Sequence, residues 1–203
     1  MGIMRVDHPD ILAFIDLKSD LSQVANYNLS VAVTDDFMEA VKADPESAHV
    51  VVNPHTGQSG VLSKRDGLAE YDRPVKDEAG SHYSVRDTWQ RIVRRAWETG
   101  DPGLVFIDEV NRHNQTPGLG PIQATNPCGE QPLLPYEACN LGSINLSEFY
   151  VSRSADSMDE RVDWQRLRET VELAVHFLDN VVDVNKYPTQ EIHEATHATR
   201  KIG

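Results

Sequence analysis

The sequence predicts an α/β fold that includes parallel strands. Short apolar runs alternate with segments of helical period, 203 residues can bury one sizeable core, and no stretch repeats. Pro9, after Asp7 and His8, suits a first helical turn, and Ile11, Leu12 and Ile15 then recur on one face. Residues 28–33 alternate as a strand does, and Thr34 is placed to cap a short helix through Phe37, Met38 and Val41. Residues 49–53 read as a strand entering a turn at 54–57, between Pro54 and Gly57. Residues 64–82 are polar and aperiodic, as a surface loop or insertion is.

Ser84 with Asp87 three residues on opens an amphipathic helix carrying Trp89, Ile92, Val93, Ala96 and Trp97, which Gly100 stops. Residues 104–107 form a short run expected as a buried strand. From 111 to 135 the chain is rich in Pro, Gly and Asn and follows neither period, and a stretch of that length within a compact domain is usually functional. Residues 142–146 return to strand alternation. Trp164, Leu167, Val171, Ala174, Leu178 and Val181 define a long helix ending near Tyr187 and Pro188, and a last helix starts about Thr189 and still runs near Arg200.

Composition narrows the function classes. With 39% apolar and 25% charged residues, 12 Gly and 11 Pro, the chain is neither collagen-like, low-complexity nor wholly disordered. No apolar run approaches the roughly 20 residues of a membrane span. The first residues lack a basic stretch followed by an apolar one, so no secretory signal is expected and the protein is read as cytoplasmic. Nineteen basic against 32 acidic residues give a formal charge of −13, which disfavours nucleic-acid polymers and anionic membrane surfaces. A small phosphorylated ligand stays compatible with that field, because a local pocket of amides or arginines can hold one. Cys128 and Cys139, the only cysteines, make no disulfide framework, no CxxC pair and no four-thiolate zinc site.

The long irregular stretch holds the run Asn126, Pro127, Cys128, Gly129, Glu130. Pro127 fixes its own φ and Gly129 frees the next position, so a tight turn is expected, offering Asn126, Cys128 and Glu130 around one point. Such a set can act as hydrogen-bonding amide, thiol and acid/base on one small substrate. The same residues also suit a buried cysteine in a loop whose Asn and Glu cap backbone. Spacing alone leaves both readings open.

The longer run Asn126-Pro-Cys-Gly-Glu-Gln-Pro-Leu-Leu-Pro-Tyr-Glu-Ala-Cys-Asn-Leu-Gly-Ser-Ile-Asn-Leu146 resembles the active-site loop and following strand of ribonucleotide reductase large chains, most closely the adenosylcobalamin-dependent class II enzymes. Met1-Gly-Ile with Asp7-His-Pro-Asp-Ile11, Asn28-Leu-Ser-Val-Ala-Val33, Thr99-Gly-Asp-Pro-Gly-Leu104, Phe177-Leu-Asp-Asn180 and Asp183-Val-Asn-Lys-Tyr-Pro188 look like that family in the same order. The resemblance covers nearly the whole chain and is weakest at 64–82.

It implies part of a ten-stranded α/β barrel with the active-site loop inside, residues 1–203 forming the middle segment of a longer catalytic subunit. Cys128 matches the thiyl-radical position that removes the ribose 3′-hydrogen. Glu130 matches the carboxylate that takes the 3′-hydroxyl proton, and Asn126 the amide that hydrogen-bonds the substrate. Cys139 matches one half of the redox pair that supplies reducing equivalents while the 2′-hydroxyl leaves as water. Also implied are a ribonucleotide substrate, adenosylcobalamin, an allosteric nucleotide, thioredoxin or a similar dithiol reductant, and homo-oligomerisation of the full-length chain. The second redox cysteine and most allosteric loops of the family lie upstream of the region matched here, and the substrate-phosphate loop lies downstream, so the segment alone is expected to be inactive. A class I large chain, drawing its radical from a metal-containing small subunit, and a non-catalytic remnant serving as an interaction module are the alternatives.

Two further motifs carry competing readings. His193-Glu-Ala-Thr-His197 satisfies H-E-x-x-H on a predicted helix, but a zinc protease needs a third ligand downstream, where six residues remain. His193 and His197 are therefore read as solvated helix residues, and no metal site is assigned. Gly118 and Gly120 lack the spacing of a dinucleotide cradle and read as loop.

Overall fold

The computed structural model describes residues 1–203 except 21, 23, 72–79 and 153–156. The chain divides into two compact units, Met1–Gly129 and Glu130–Gly203.

The first unit runs β1 (Gly2–Arg5), α1 (Ile11–Ile15), β2 (Leu29–Val33), α2 (Asp35–Ala43), β3 (Val50–Val52), β4 (Ser59–Leu62), β5 (Ala69–Glu70), α3 (Val85–Thr99), β6 (Gly103–Phe106), α4 (Ile107–Arg112), a 3-10 turn at Pro117–Leu119 and β7 (Ala124–Thr125). Parallel strands are present as expected: β1, β2 and β6 lie in that order, with Gly2 opposite Leu29 and Ser30 opposite Gly103. All five residues of β2 are buried, because a central parallel strand is covered on both faces and its sequence alternation loses its meaning. Of residues 104–107, expected as a buried strand, Val105 and Ile107 are buried, and Ile107 already opens α4. With a neighbour on one side, Leu104 and Phe106 remain open. Among the described residues the strands do not close into a barrel.

Val6, Ile11, Ile15, Val31, Leu62 and Ile92 meet in the main core, each burial contributing about 1.5–3 kcal/mol. Thr34 caps α2 as expected, its Oγ1 accepting from Phe37 N at 3.2 Å. Ser84 and Asp87 form a full capping box on α3, with bonds of 3.1 and 2.9 Å. Gly100 ends that helix at φ +83°, where a side chain would be strained. The inward face of α3 is Val85, Thr88 and Ile92, whereas Trp97 is 86% exposed, so the buried stripe is narrower than the apolar stripe of the sequence.

The residues after Val52 give more structure than expected. Asn53 Oδ1 accepts from His55 N and Thr56 N and closes the turn that joins β3 to β4, with Val50 opposite Val61. Within 64–82, Ala69 and Glu70 add β5 to that antiparallel sheet, so the segment is not loop throughout; residues 72–79 lie outside the described residues. In the long irregular stretch, the Asn111 side chain donates to Ile107 O and Ile122 O, both at 2.9 Å, and accepts from Ile122 N at 2.8 Å.

The second unit holds β8 (Pro132–Leu133), a 3-10 turn at Leu146–Phe149, α5 (Met158–Arg161), α6 (Trp164–Val184) and α7 (Gln190–Thr199). Asp163 caps α6 through Arg166 N, and Thr189 caps α7 through Ile192 N. α6 buries Leu178 and Val182 but presents Leu173, Phe177 and Val184 outward. Arg200 ends α7 at φ +50° and reaches back to Asp179 Oδ1 (2.7 Å) and Asp183 Oδ1 (2.8 Å) on α6; its hydrogen bonds hold both carboxylates below their usual pKa. Residues 142–146 do not form the expected strand. Gly142 N donates to Gly203 O, next to a single bridge between Asn140 and Ile202, and Asn145 O accepts from Glu148 N in the following 3-10 turn; alternation without a continuous ladder leaves an irregular segment. No helix among the described residues is long and apolar enough to cross a membrane.

Candidate active site

The turn expected at Cys128 is present. Gly129 N donates to Asn126 O at 3.0 Å, Pro127 and Cys128 occupy the turn centre, and Gly129 adopts φ +84° with open space around the missing Cβ. Backbone conformation, not crowding, therefore requires glycine at 129. Thr125 Oγ1 also donates to Asn126 O, at 2.9 Å, fixing the entry from β7. Asn126 is half-buried and Cys128 is an exposed free thiol at the tip. The structure thus brings Asn126 and Cys128 into one turn and does not bury the cysteine, against the alternative in which it fills a loop core. Glu130, next after Gly129, is exposed and opens the second unit.

Cys139 lies in the second unit and is a half-buried free thiol. Its segment is tied on both sides: Ala138 N donates to Thr196 Oγ1 of α7 at 3.0 Å, and Asn140 O accepts from Gly203 N at 3.0 Å. Burial pushes the Cys139 thiol pKa up, and the negative charges of Glu130 and Glu137 push the same way. Cys139 is therefore held as a thiol at neutral pH, a form that keeps its hydrogen available.

Glu137 is the residue that sequence reasoning missed. Its side chain is fully enclosed, Oε2 accepts from Lys201 Nζ at 2.8 Å and from Leu134 N at 2.5 Å, and enclosed Oε1 has no hydrogen-bond partner among the described residues. Asn140 Oδ1 is likewise enclosed, with no partner among the described residues. A carboxylate set among Leu134, Pro135, Tyr136 and Ala138, two residues before a cysteine, was the available signal.

The competing motifs resolve locally. His193 and His197 face one another on α7 with ring centroids 4.2 Å apart, and Tyr187 meets both edgewise. His193 is solvated as expected; His197 is half-buried, its Nδ1 3.8 Å from Asp183 Oδ1 and its Nε2 enclosed without a partner among the described residues. No group of three or more His, Cys, Asp or Glu among the described residues is placed to hold a metal ion. Gly118 lies in the 3-10 turn and Gly120 follows it at φ +127°, in loop.

A family model described as the barrel domain of ribonucleotide reductase matches residues 1–203. Among curated proteins, the vitamin B12-dependent ribonucleoside-diphosphate reductases of Thermoplasma acidophilum and Mycobacterium tuberculosis (strain H37Rv) are each 45% identical over 204 aligned residues, covering all of this chain and 23% and 25% of their own lengths. A vitamin B12-dependent ribonucleotide reductase of Streptomyces clavuligerus is 30% identical over 226 residues, again across the whole chain and 21% of its own length. The chain spans about a quarter of the length of the Thermoplasma acidophilum and Mycobacterium tuberculosis relatives.

Proposed function

Because the chain belongs to the ribonucleotide reductase family, whose barrel-domain model matches it from end to end, we propose that it supplies the radical and reducing thiols of an enzyme converting ribonucleotides to 2′-deoxyribonucleotides. The observation that carries this reading is the turn closed by Gly129 N on Asn126 O, which presents an exposed Cys128 beside a half-buried Asn126. The names of the relatives favour a ribonucleoside diphosphate as substrate and vitamin B12 chemistry over a separate metal-containing subunit as radical source.

Adenosylcobalamin, when bound, supplies the initiating radical. The donor set fits it in one respect: Cys128 Sγ is accessible for hydrogen-atom exchange, while residues 126–130 offer no ring nitrogen that would ligate cobalt. Cys128 then removes and later returns the ribose 3′-hydrogen, an exchange that a weak S–H bond permits. Glu130 accepts the 3′-hydroxyl proton, and Asn126 holds the substrate by hydrogen bonding. Cys139 and a second thiol give up two electrons and two protons, so that ribonucleotide and dithiol yield deoxyribonucleotide, water and a disulfide. Thioredoxin or a similar dithiol restores the pair.

In this reading β1, β2 and β6 are consecutive strands of the ten-stranded barrel, and the open sides of β1 and β6 are where further strands add. Residues 1–203 are then a segment of one catalytic domain, the full-length chain is a cytoplasmic homo-oligomer, and its allosteric nucleotide is held mostly by residues outside this segment. The test is product formation by the full-length protein with adenosylcobalamin, a dithiol and a radiolabelled ribonucleoside diphosphate. Deoxynucleotide is expected from the wild type and none from Cys128→Ser, whose O–H bond is too strong to exchange hydrogen with a ribose carbon. Deoxynucleotide from the serine variant removes Cys128 from the radical role.

A further inference from the structure

The chain carries a formal charge of −13, yet Arg91, Arg94 and Arg95 stand together on α3. With Tyr83, Asp87 and Gln90 they line a cleft of about 270 Å³. Two of the three are fixed from behind. Asp16, just past α1, accepts from Arg91 Nε at 2.9 Å and from Arg95 Nε at 2.8 Å. Burial works against the Asp16 charge, but the two guanidinium groups outweigh it and hold the carboxyl below its usual range.

The remaining hydrogen-bonding capacity is almost all donor. The Arg94 guanidinium makes no hydrogen bond or ion pair among the described residues, and neither does the Gln90 side-chain amide. Glu98, four residues after Arg94, turns instead to Arg95 Nη1 at 2.8 Å. Arg95 Nη2 is without a partner among the described residues, and Arg91 Nη1 reaches only the Tyr83 hydroxyl at 3.5 Å. The single acid in the lining, Asp87, is already occupied by Ser84 N and by Lys64 Nζ at 2.8 Å. A solvated helix face pairs its arginines with acids one turn away. This face leaves one guanidinium and one amide unpaired beside two guanidinium groups that are preset.

Planar guanidinium forks match phosphate oxygens in pairs, and a phosphate offers more acceptor oxygens and more charge than a carboxylate. We propose that the cleft between Tyr83, Gln90, Arg91, Arg94 and Arg95 binds the phosphate group of a small anionic ligand, with Arg94 closing on it. The cleft admits a phosphate or diphosphate, and the rest of such a molecule stays outside. This site is independent of the roles given to residues 126–139.

The experiment is calorimetric titration of the full-length protein and of Arg94→Gln and Arg94→Lys with inorganic phosphate, pyrophosphate and ribose 5-phosphate at low salt. Saturable binding of at least one probe is expected, weakened about tenfold or more by Arg94→Gln and less by Arg94→Lys. Because Arg94 is exposed, both variants should keep the wild-type melting temperature. Preference for pyrophosphate marks a diphosphate ligand, and equal binding of ribose 5-phosphate marks a phosphate monoester. Absence of saturable binding, or equal affinities for wild type and Arg94→Gln, overturns the proposal.

Discussion

Lys201 Nζ lies 2.8 Å from Oε2 of Glu137, a glutamate whose side chain is wholly enclosed, and this ion pair joins the segment that carries Cys139 to the chain just after α7. Removing one member of an enclosed pair leaves an uncompensated charge, which costs about 3–5 kcal/mol. Lys201→Met should lower the urea midpoint accordingly, and Lys201→Met combined with Glu137→Leu should regain most of the loss. A Lys201→Met protein of wild-type stability would take the pair out of the interior.

Cys139 should alkylate with a pH midpoint above the about 8.5 of a free cysteine. Burial and the negative charges of Glu130 and Glu137 all disfavour its thiolate, so neutralising either acid should move the midpoint down. Iodoacetamide rates against pH, read at the Cys139 peptide by mass spectrometry in a Cys128→Ser background, measure this. A wild-type midpoint at or below 8.5 contradicts it.

Cys128 and Cys139 should fail differently when replaced in the full-length enzyme. Cys139→Ser should still release tritium from 3′-tritiated substrate while giving free base or inactivated enzyme in place of deoxynucleotide. Cys128→Ser should release none. Normal dithiol-dependent turnover by Cys139→Ser would end the redox-pair role and leave the radical role untouched.

His49 sets an acid limit on the first unit. It is 2% exposed, its Nε2 bonds Val6 O at 2.8 Å, and burial lowers its pKa below 6.5. The unfolded chain therefore binds a proton more readily than the folded one. Stability attributable to His49 is complete above about pH 6.5 and is lost as pH falls through the window down to the folded pKa. Melting temperatures between pH 7.5 and 5 should decline more steeply for the wild type than for His49→Gln, and parallel curves would refute this.

Local chemistry makes much of the fold legible in the sequence. Thr34, Ser84, Gly100 and Thr189 are cap residues whose effect is felt within one turn, and each stands where its helix starts or stops. What depends on a distant neighbour was not legible. Residues 142–146 alternate like a strand and lack the ladder that would make them one, and Leu104 and Phe106 are apolar on a strand with an open side. The same division holds at the site. The turn around Cys128 follows from Pro127 and Gly129 alone, whereas the enclosure of Glu137 depends on Lys201, 64 residues later.

Two bonds between the Asn111 amide and the Ile122 backbone close residues 111–122 into a ring held without a covalent link, and a third, to Ile107 O, ties that ring to α4. A chain that would otherwise wander from the end of α4 to the turn at Cys128 is thereby cut to a short tether, with correspondingly less loop-closure entropy left to lose. The amide must donate and accept at once, which aspartate of the same shape does not do. Asn111 thus acts as a clasp that limits how freely the turn at Cys128 moves, although the two residues share no contact in that clasp.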